Sequence, residues 1–213
     1  MRPVQRDSPT KAKLLAAALE LMLTKGYEAT SVDEICTRVG VTKGSFFHYF
    51  ANKEDLGKAA LQHYFTSVRS AVESAPFQRE PDPLKRIYGY LDFVREASKG
   101  PRTPSGCLIG TFSQELAETH PDVRALCDRY FNEWADLLKG DLDAAKARYA
   151  PRAHFDTRSL AEHFLAVMEG ALILAKAKQD MTVVGDQTRH FKEYVRSLYE
   201  ARSNKPKRAA SGK

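Results

Sequence analysis

The chain has 213 residues, 43% hydrophobic and 28% charged, enough to bury a sizeable core in one or two domains. No apolar stretch reaches the length of a membrane span, and the opening MRPVQRDSPT lacks the apolar run of a signal peptide, so a cytoplasmic protein without a membrane partner is expected. The net charge of +6 sits at the ends: removing the nine basic and one acidic residues of 1–13 and 201–213 leaves 24 basic against 26 acidic, so charge alone does not argue for nucleic acid.

The pattern along the chain is helical throughout. Ser8-Pro9 opens a helix with proline tolerated in its first turn, Leu14, Leu15, Ala18, Leu21 and Met22 repeat at helical spacing, and Gly26 closes it. In SVDEICTRVG, Ser31 and Glu34 form a capping box, Val32, Ile35, Cys36 and Val39 make an apolar stripe, and Gly40 ends a helix of barely two turns. Thr42 is the expected cap of a third short helix, Lys43 to about Tyr49. Asn52 caps a longer one through Leu56, Ala60, Leu61, Tyr64, Phe65 and Val68. Beyond Pro76, Asp82-Pro83 starts a helix through Val94 that SKGPRTPSG breaks. A helix from about Ser105 to Thr119 follows, and Pro121 begins another that carries Val123, Tyr130, Trp134 and Leu138. HFLAVMEGALILAKAK is apolar nearly all round, which implies burial on more than one side, and a last helix shows Phe191, Tyr194, Val195, Leu198 and Tyr199. No stretch alternates like a strand. The fold class expected is all-α, short helices first and a longer bundle after.

Two short helices joined by a glycine-containing turn, with a third before them, have the form of a helix-turn-helix. The stretch GVTKGSFFHYF suits that use chemically. Thr42, Lys43, Gly44 and Ser45 are small or flexible enough to let the backbone approach a groove, and the positive end of the helix dipole suits a phosphate. Lys43 can reach guanine or phosphate, and Thr42 and Ser45 can bond to either. Phe46 and Phe50 are expected to clamp the short helix against its predecessors, with His48 and Tyr49 nearer the nucleic acid.

The segment ALELMLTKGYEATSVDEICTRVGVTKGSFFHYFANKEDL resembles the N-terminal domain of the TetR family of transcriptional regulators. The resemblance runs without a gap over about residues 10 to 56. It implies an all-α homodimer with a small DNA-binding domain (1–56), a larger regulatory and dimerisation domain (57–202) and a basic, disordered tail (203–213). By matched position, Ser31, Thr42, Lys43, Gly44, Ser45, His48, Tyr49 and Lys53 become candidate contacts to a double-stranded DNA operator. One departure is Phe47, where the family usually carries a tyrosine whose hydroxyl meets a phosphate. Its absence shifts weight to His48, Tyr49 and Lys53.

PSGCLIGTFSQELAETHPDVRA holds a second cluster. Cys107 is expected in the first turn of its helix, where the dipole and free N–H groups favour a thiolate. The segment resembles a TetR subgroup that controls reductases and responds to electrophiles or oxidants, in which GCL opens this helix. Packing as a small hydrophobe is the other reading of Cys107. Lys176 is expected either inside the bundle, favouring that thiolate, or snorkelling to solvent. Trp134, Tyr130, Phe112, Phe93, Tyr90, Phe164 and Met168 are candidates to line a ligand cavity or to form core, and His163 is a core or pocket histidine rather than a metal ligand. Three scattered cysteines, Cys36, Cys107 and Cys127, make neither a disulfide framework nor a zinc motif, and no metal or cofactor is expected.

No dinucleotide fingerprint, P-loop, nucleophile elbow or zinc-protease motif is present, and the carboxylate pairs Asp33-Glu34 and Glu54-Asp55 sit in first helical turns where they cap, so an enzyme is the disfavoured class. The reading is a DNA-binding repressor, released from a palindromic operator by a small molecule or by electrophile or oxidant modification of Cys107. The alternative is a repressor of an efflux or catabolic gene, induced by reversible binding of an apolar or aromatic ligand. The expected dimer interface is the HFLAVMEGALILAKAK helix with the final helix near Phe191 to Leu198.

Overall fold

The structure, a computed structural model, describes residues 8–99 and 106–200. The expected basic tail and the break at SKGPRTPSG lie largely outside the described residues. Among those residues the chain forms nine α-helices, one short 3-10 turn and no strand. The N-terminal end is α1 (Pro9–Lys25), α2 (Val32–Val39) and α3 (Lys43–Tyr49). The remainder is α4 (Lys53–Ser74), the 3-10 turn Pro76–Arg79, α5 (Pro83–Ala97), α6 (Leu108–Leu116), α7 (Pro121–Tyr149), α8 (Thr157–Lys178) and α9 (Thr182–Glu200).

Local caps start these helices where the residue pattern placed them. Ser8 accepts from the Thr10 N–H, Ser31 from Glu34, Thr42 from Ser45, Asn52 from Asp55 and Asp82 from Leu84 and Lys85. Each bond satisfies an amide that the first turn leaves without a helical partner. Gly26 (φ 93°) and Gly40 (φ 73°) end α1 and α2 at angles glycine adopts without strain.

Helix α3 spans seven residues, too short to be stable alone. Phe46 and Phe50 hold it: both are buried, their ring centroids 5.8 Å apart, in a core shared with Leu14, Ala18, Met22 and Ile35. Burying a phenylalanine contributes about 1.5–3 kcal/mol, so these two rings outweigh the nucleation cost of so short a helix. That core does not stop at residue 56. It continues through Leu61 and Phe65 of α4, Leu108, Ile109, Phe112 and Leu116 of α6, and Val123, Cys127 and Tyr130 of α7. A second core, with Ile87, Leu91, Leu142, Phe164, Phe191 and Val195, binds α5, α7, α8 and α9.

Helix α7 runs to Tyr149, because Leu142 and Ala145 keep the apolar spacing. One boundary differs from expectation. Helix α6 begins at Leu108, with Cys107 as its N-cap residue, rather than near Ser105. At the far end of α4, Phe77 of the 3-10 turn lies against Gly89 of α5, where an added Cβ would stand 2.6 Å from the Cβ of Phe77. Gln78 donates to the Val72 carbonyl at 3.2 Å, tying the same turn to α4. No helix among the described residues is long and apolar enough to cross a membrane.

Candidate nucleic-acid interface and regulatory cavity

The outer face of α2–α3 brings together most of the candidate DNA contacts. Ser31, Thr42, Lys43, Gly44 and His48 are exposed on it, and Ser45 is half-buried beside Thr42. Phe47 stands 56% exposed on this face, its edge against Phe46 at 5.2 Å between centroids. Besides the capping hydroxyls of Ser31 and Thr42, three of the expected contacts have side-chain partners within the chain. The Lys43 ammonium is 2.8 Å from the Asp33 carboxylate, which holds the lysine more firmly in its charged form. Tyr49 is half-buried, and its hydroxyl shares a 2.9 Å hydrogen bond with Ser8 Oγ. Lys53 turns inward, donating to the Tyr27 carbonyl at 3.2 Å and lying 4.1 Å from the centroid of the Tyr27 ring.

The regulatory residues fall into separate places. Cys107 and Lys176 line one cavity of about 370 Å³ between α6 and α8, together with Thr111, Gln114, Glu115 and Glu169. Lys176 is exposed, so it reaches that cavity from the solvent side. The aromatic candidates do not join them. Tyr130 and Phe112 are core residues, stacked on Phe65 at 4.3 Å and set edge-on to Tyr27 at 5.3 Å. Trp134 borders a space of only about 30 Å³ beside Val72, Phe77 and Tyr90. Phe93 packs on Phe77 at 5.7 Å, and Met168 accepts from the Thr188 hydroxyl at 3.5 Å. His163 is exposed beside Phe191 and Tyr194. Aromatic and thioether side chains at helical spacing pack the interior here, as such stripes commonly do.

The thiol of Cys107 also departs from expectation. Its pKa is pushed up, first by burial and next by the negative charge of Glu169, while the Gly110 and Ile109 N–H groups of the first turn pull the other way. The helix-terminus effect is present but outweighed. The Glu169 carboxylate lies over Gly110 in the turn that Cys107 caps, and burial raises the pKa of its own carboxyl. The Tyr64 hydroxyl is raised well above its usual range chiefly by burial, and Tyr64 of α4 packs against the same core as Cys107. Gly110 makes this arrangement possible, since a Cβ there would fall on the Glu169 carboxylate. Glu169 is the one acid between His163 and Gln179, and that isolation was the available signal for it.

Helix α6 reaches the DNA-binding end through a second carboxylate. Glu115, on the cavity wall, accepts the Glu28 N–H at 2.8 Å and lies over Gly26 in the α1–α2 turn. Tyr27 of that turn packs on Phe112 of α6 and on Lys53 of α4. Its phenol is pushed up to about 12, mainly by burial and then by Glu54.

Residues 14–60 match the family described as bacterial regulatory proteins, tetR family, and residues 83–191 match the tetracyclin repressor-like C-terminal domain. The chain belongs to the TetR family. Among its relatives, the transcriptional regulator AcuR of Cereibacter sphaeroides is 33% identical over 76% of this chain and 74% of its own length. The HTH-type transcriptional repressor NemR of Escherichia coli is 25% identical over 89% and 95%. Among solved structures, the regulatory protein TetR from Rhodobacter sphaeroides superposes with a TM-score of 0.75 at 30% identity, over 88% of this chain and 99% of that one. The reduced form of E. coli NemR gives 0.74 at 25% identity, over 87% and 96%. As a TetR-family member the chain is a DNA-binding transcriptional regulator, with α2–α3 as its helix-turn-helix.

Proposed function

We propose that this regulator is a homodimeric repressor whose operator complex is broken by covalent modification of Cys107. The observation that carries the reading is the shared wall: Cys107 and Lys176 line one cavity, and α6 also holds the α1–α2 turn through Glu115. A group added to Cys107 must be accommodated where α6 meets α4 and α8, and overpacking such an interior costs about 1–3 kcal/mol. A shift of α6 or α4 that relieves this strain also moves the DNA-binding end. The two states then differ in affinity for the operator, as coupling requires. Relatives named as repressors, DhaR of Mycobacterium at 27% identity and NemR, support the negative sign.

The DNA contacts assigned are Ser31, Thr42, Lys43, Gly44, Ser45 and His48, with Tyr49 and Lys53 available once their internal partners yield. Dimerisation falls to the outer face of α8 and α9, where Ile173 (52%), Leu174 (48%) and Tyr194 (46%) stand exposed on one copy. Two such faces make a four-helix interface under a two-fold axis, setting the recognition helices about 34–36 Å apart for successive major grooves. Reversible capture of an aromatic ligand beside Trp134 is the weaker reading, because the space there holds little more than a water molecule.

The experiment is operator release. Mild treatment with an α,β-unsaturated carbonyl compound should free a selected palindromic DNA from the native protein and not from Cys107→Ser, while substitutions at Cys36 and Cys127 leave the response intact. Release from Cys107→Ser under the same treatment would refute the assignment.

A further inference from the structure

The sensor reading leaves a chemical difficulty. A thiolate is the species that attacks electrophiles, and Cys107 sits where burial and a neighbouring carboxylate both oppose that charge. A half-buried thiol whose charged form is disfavoured reacts through a transition state in which its proton leaves as the new bond forms, and that proton needs an acceptor beside the sulfur. Glu169 is such an acceptor. Its carboxylate borders the same cavity of about 370 Å³ as the Cys107 thiol and lies over Gly110, three residues beyond the cysteine. It is held there because Gly110 presents a bare Cα on which the carboxylate rests.

We infer that Glu169 is the general base for Cys107, taking the thiol proton as the sulfur adds to an α,β-unsaturated carbonyl compound in the cavity. The step balances without a further reagent. The sulfur lone pair forms a bond to the β-carbon, the carbon–carbon π pair moves toward the carbonyl as an enolate, and the thiol proton passes to Glu169. Glu169 then returns that proton to the α-carbon, directly or through water, so that S–H has added across the double bond. Tyr64 of α4 and Cys107 pack against the same core. The charged groups lining the cavity are Glu169 and Lys176 from α8 and Glu115 from α6. Two carboxylates against one ammonium favour an uncharged electrophile over one that carries its own carboxylate.

This rests on the sensor reading of Cys107, and the readout separates the two. The measurement is the rate of adduct formation on Cys107, followed by mass spectrometry of the full chain with an unsaturated aldehyde between about pH 5.5 and 9. General-base assistance contributes typically about 10²–10⁴-fold. Glu169→Gln should therefore slow the reaction at least about tenfold at pH 7. The native rate should fall as acid protonates Glu169, whose pKa lies above that of an ordinary carboxyl. In Glu169→Gln that inflection disappears, and the rate climbs with pH as the thiol, relieved of the neighbouring negative charge, ionises on its own. Gly110→Ala provides a second route, because its methyl displaces the flexible end of Glu169 and leaves its carboxyl group intact; it should slow the reaction in the same sense. If Glu169 only suppresses the thiolate, both variants will react as fast as the native protein or faster at pH 7, and the inference falls while the sensor reading stands. A native protein that takes no adduct on Cys107 overturns both.

Discussion

Glu115 offers a sharp test of how the cavity and the DNA-binding end communicate. Its carboxylate accepts the Glu28 N–H at 2.8 Å, and the edge-on pair of Tyr27 with Phe112 supplies the other link between α6 and the α1–α2 turn. A hydrogen bond to a charged group contributes about 1.5–3 kcal/mol when sheltered, and this one is solvent-exposed, so about 1 kcal/mol is appropriate. The aromatic pair contributes about 0.5–1.5 kcal/mol. Removing the carboxylate thus removes about 1 kcal/mol of that link, about fivefold in an equilibrium where tenfold is about 1.4 kcal/mol. The quantity to measure is the ratio of operator dissociation constants before and after modification of Cys107, by fluorescence anisotropy. In Glu115→Ala this ratio should shrink about fivefold, with the extent of adduct matched to the native protein by mass spectrometry. Glu115→Gln keeps a carbonyl acceptor in place and should retain most of the ratio. An unchanged ratio in Glu115→Ala, with Cys107 fully modified, would show that the signal travels by another route.

Three further expectations concern surfaces. Lys43→Ala should weaken operator binding, by about 1–3 kcal/mol with relaxed specificity at one position if the lysine reads a base, or uniformly with a shallower salt dependence if it meets a phosphate. Asp33→Asn should do the opposite, since it frees the Lys43 ammonium now held at 2.8 Å and removes a negative charge from the DNA-facing side; equal affinity across a salt series would count against both. Leu174→Arg should shift the sedimenting species from two chains to one at micromolar concentration, because that side chain is exposed on the α8 face assigned to the second copy. Persistence of the dimer would place the interface elsewhere.

What could be read from the residues alone was what depends on near neighbours. Ser31, Thr42 and Asn52 cap their helices through amides three positions on, and Phe46 and Phe50 bury themselves four apart on one helix face. Such relations are set by helical geometry, so order and spacing reveal them. The cavity depends on partners far apart in the chain. Cys107 meets Glu169 from another helix, and Glu115 meets Glu28 across 87 positions. No local pattern encodes either contact. The expected acidic thiol failed for the same reason: a helix start was visible in the sequence, and the opposing carboxylate was not. The aromatic candidates illustrate a different limit. Phe112 and Tyr130 repeat at helical spacing whether the space they face is empty or filled, and here it is filled by Tyr27 and Phe65.

The seating of Phe77 on Gly89 has a mechanical consequence for α4. It fixes the C-terminal end of that helix against α5, while the N-terminal end carries Leu56, Ala60 and Leu61 into the core of the DNA-binding unit. A helix of 22 residues measures about 33 Å along its axis. Hinged at the Phe77 end, a tilt of about 5° sweeps the other end sideways by about 3 Å, and in the proposed dimer opposite sweeps in two copies would change the separation of the recognition helices by about 6 Å. Operator grooves recur at a fixed interval of about 34–36 Å, so a displacement of that size removes one helix from register. On the proposed reading, the anchored end would convert a small rotation of α4 into a translation large enough to break the match to DNA.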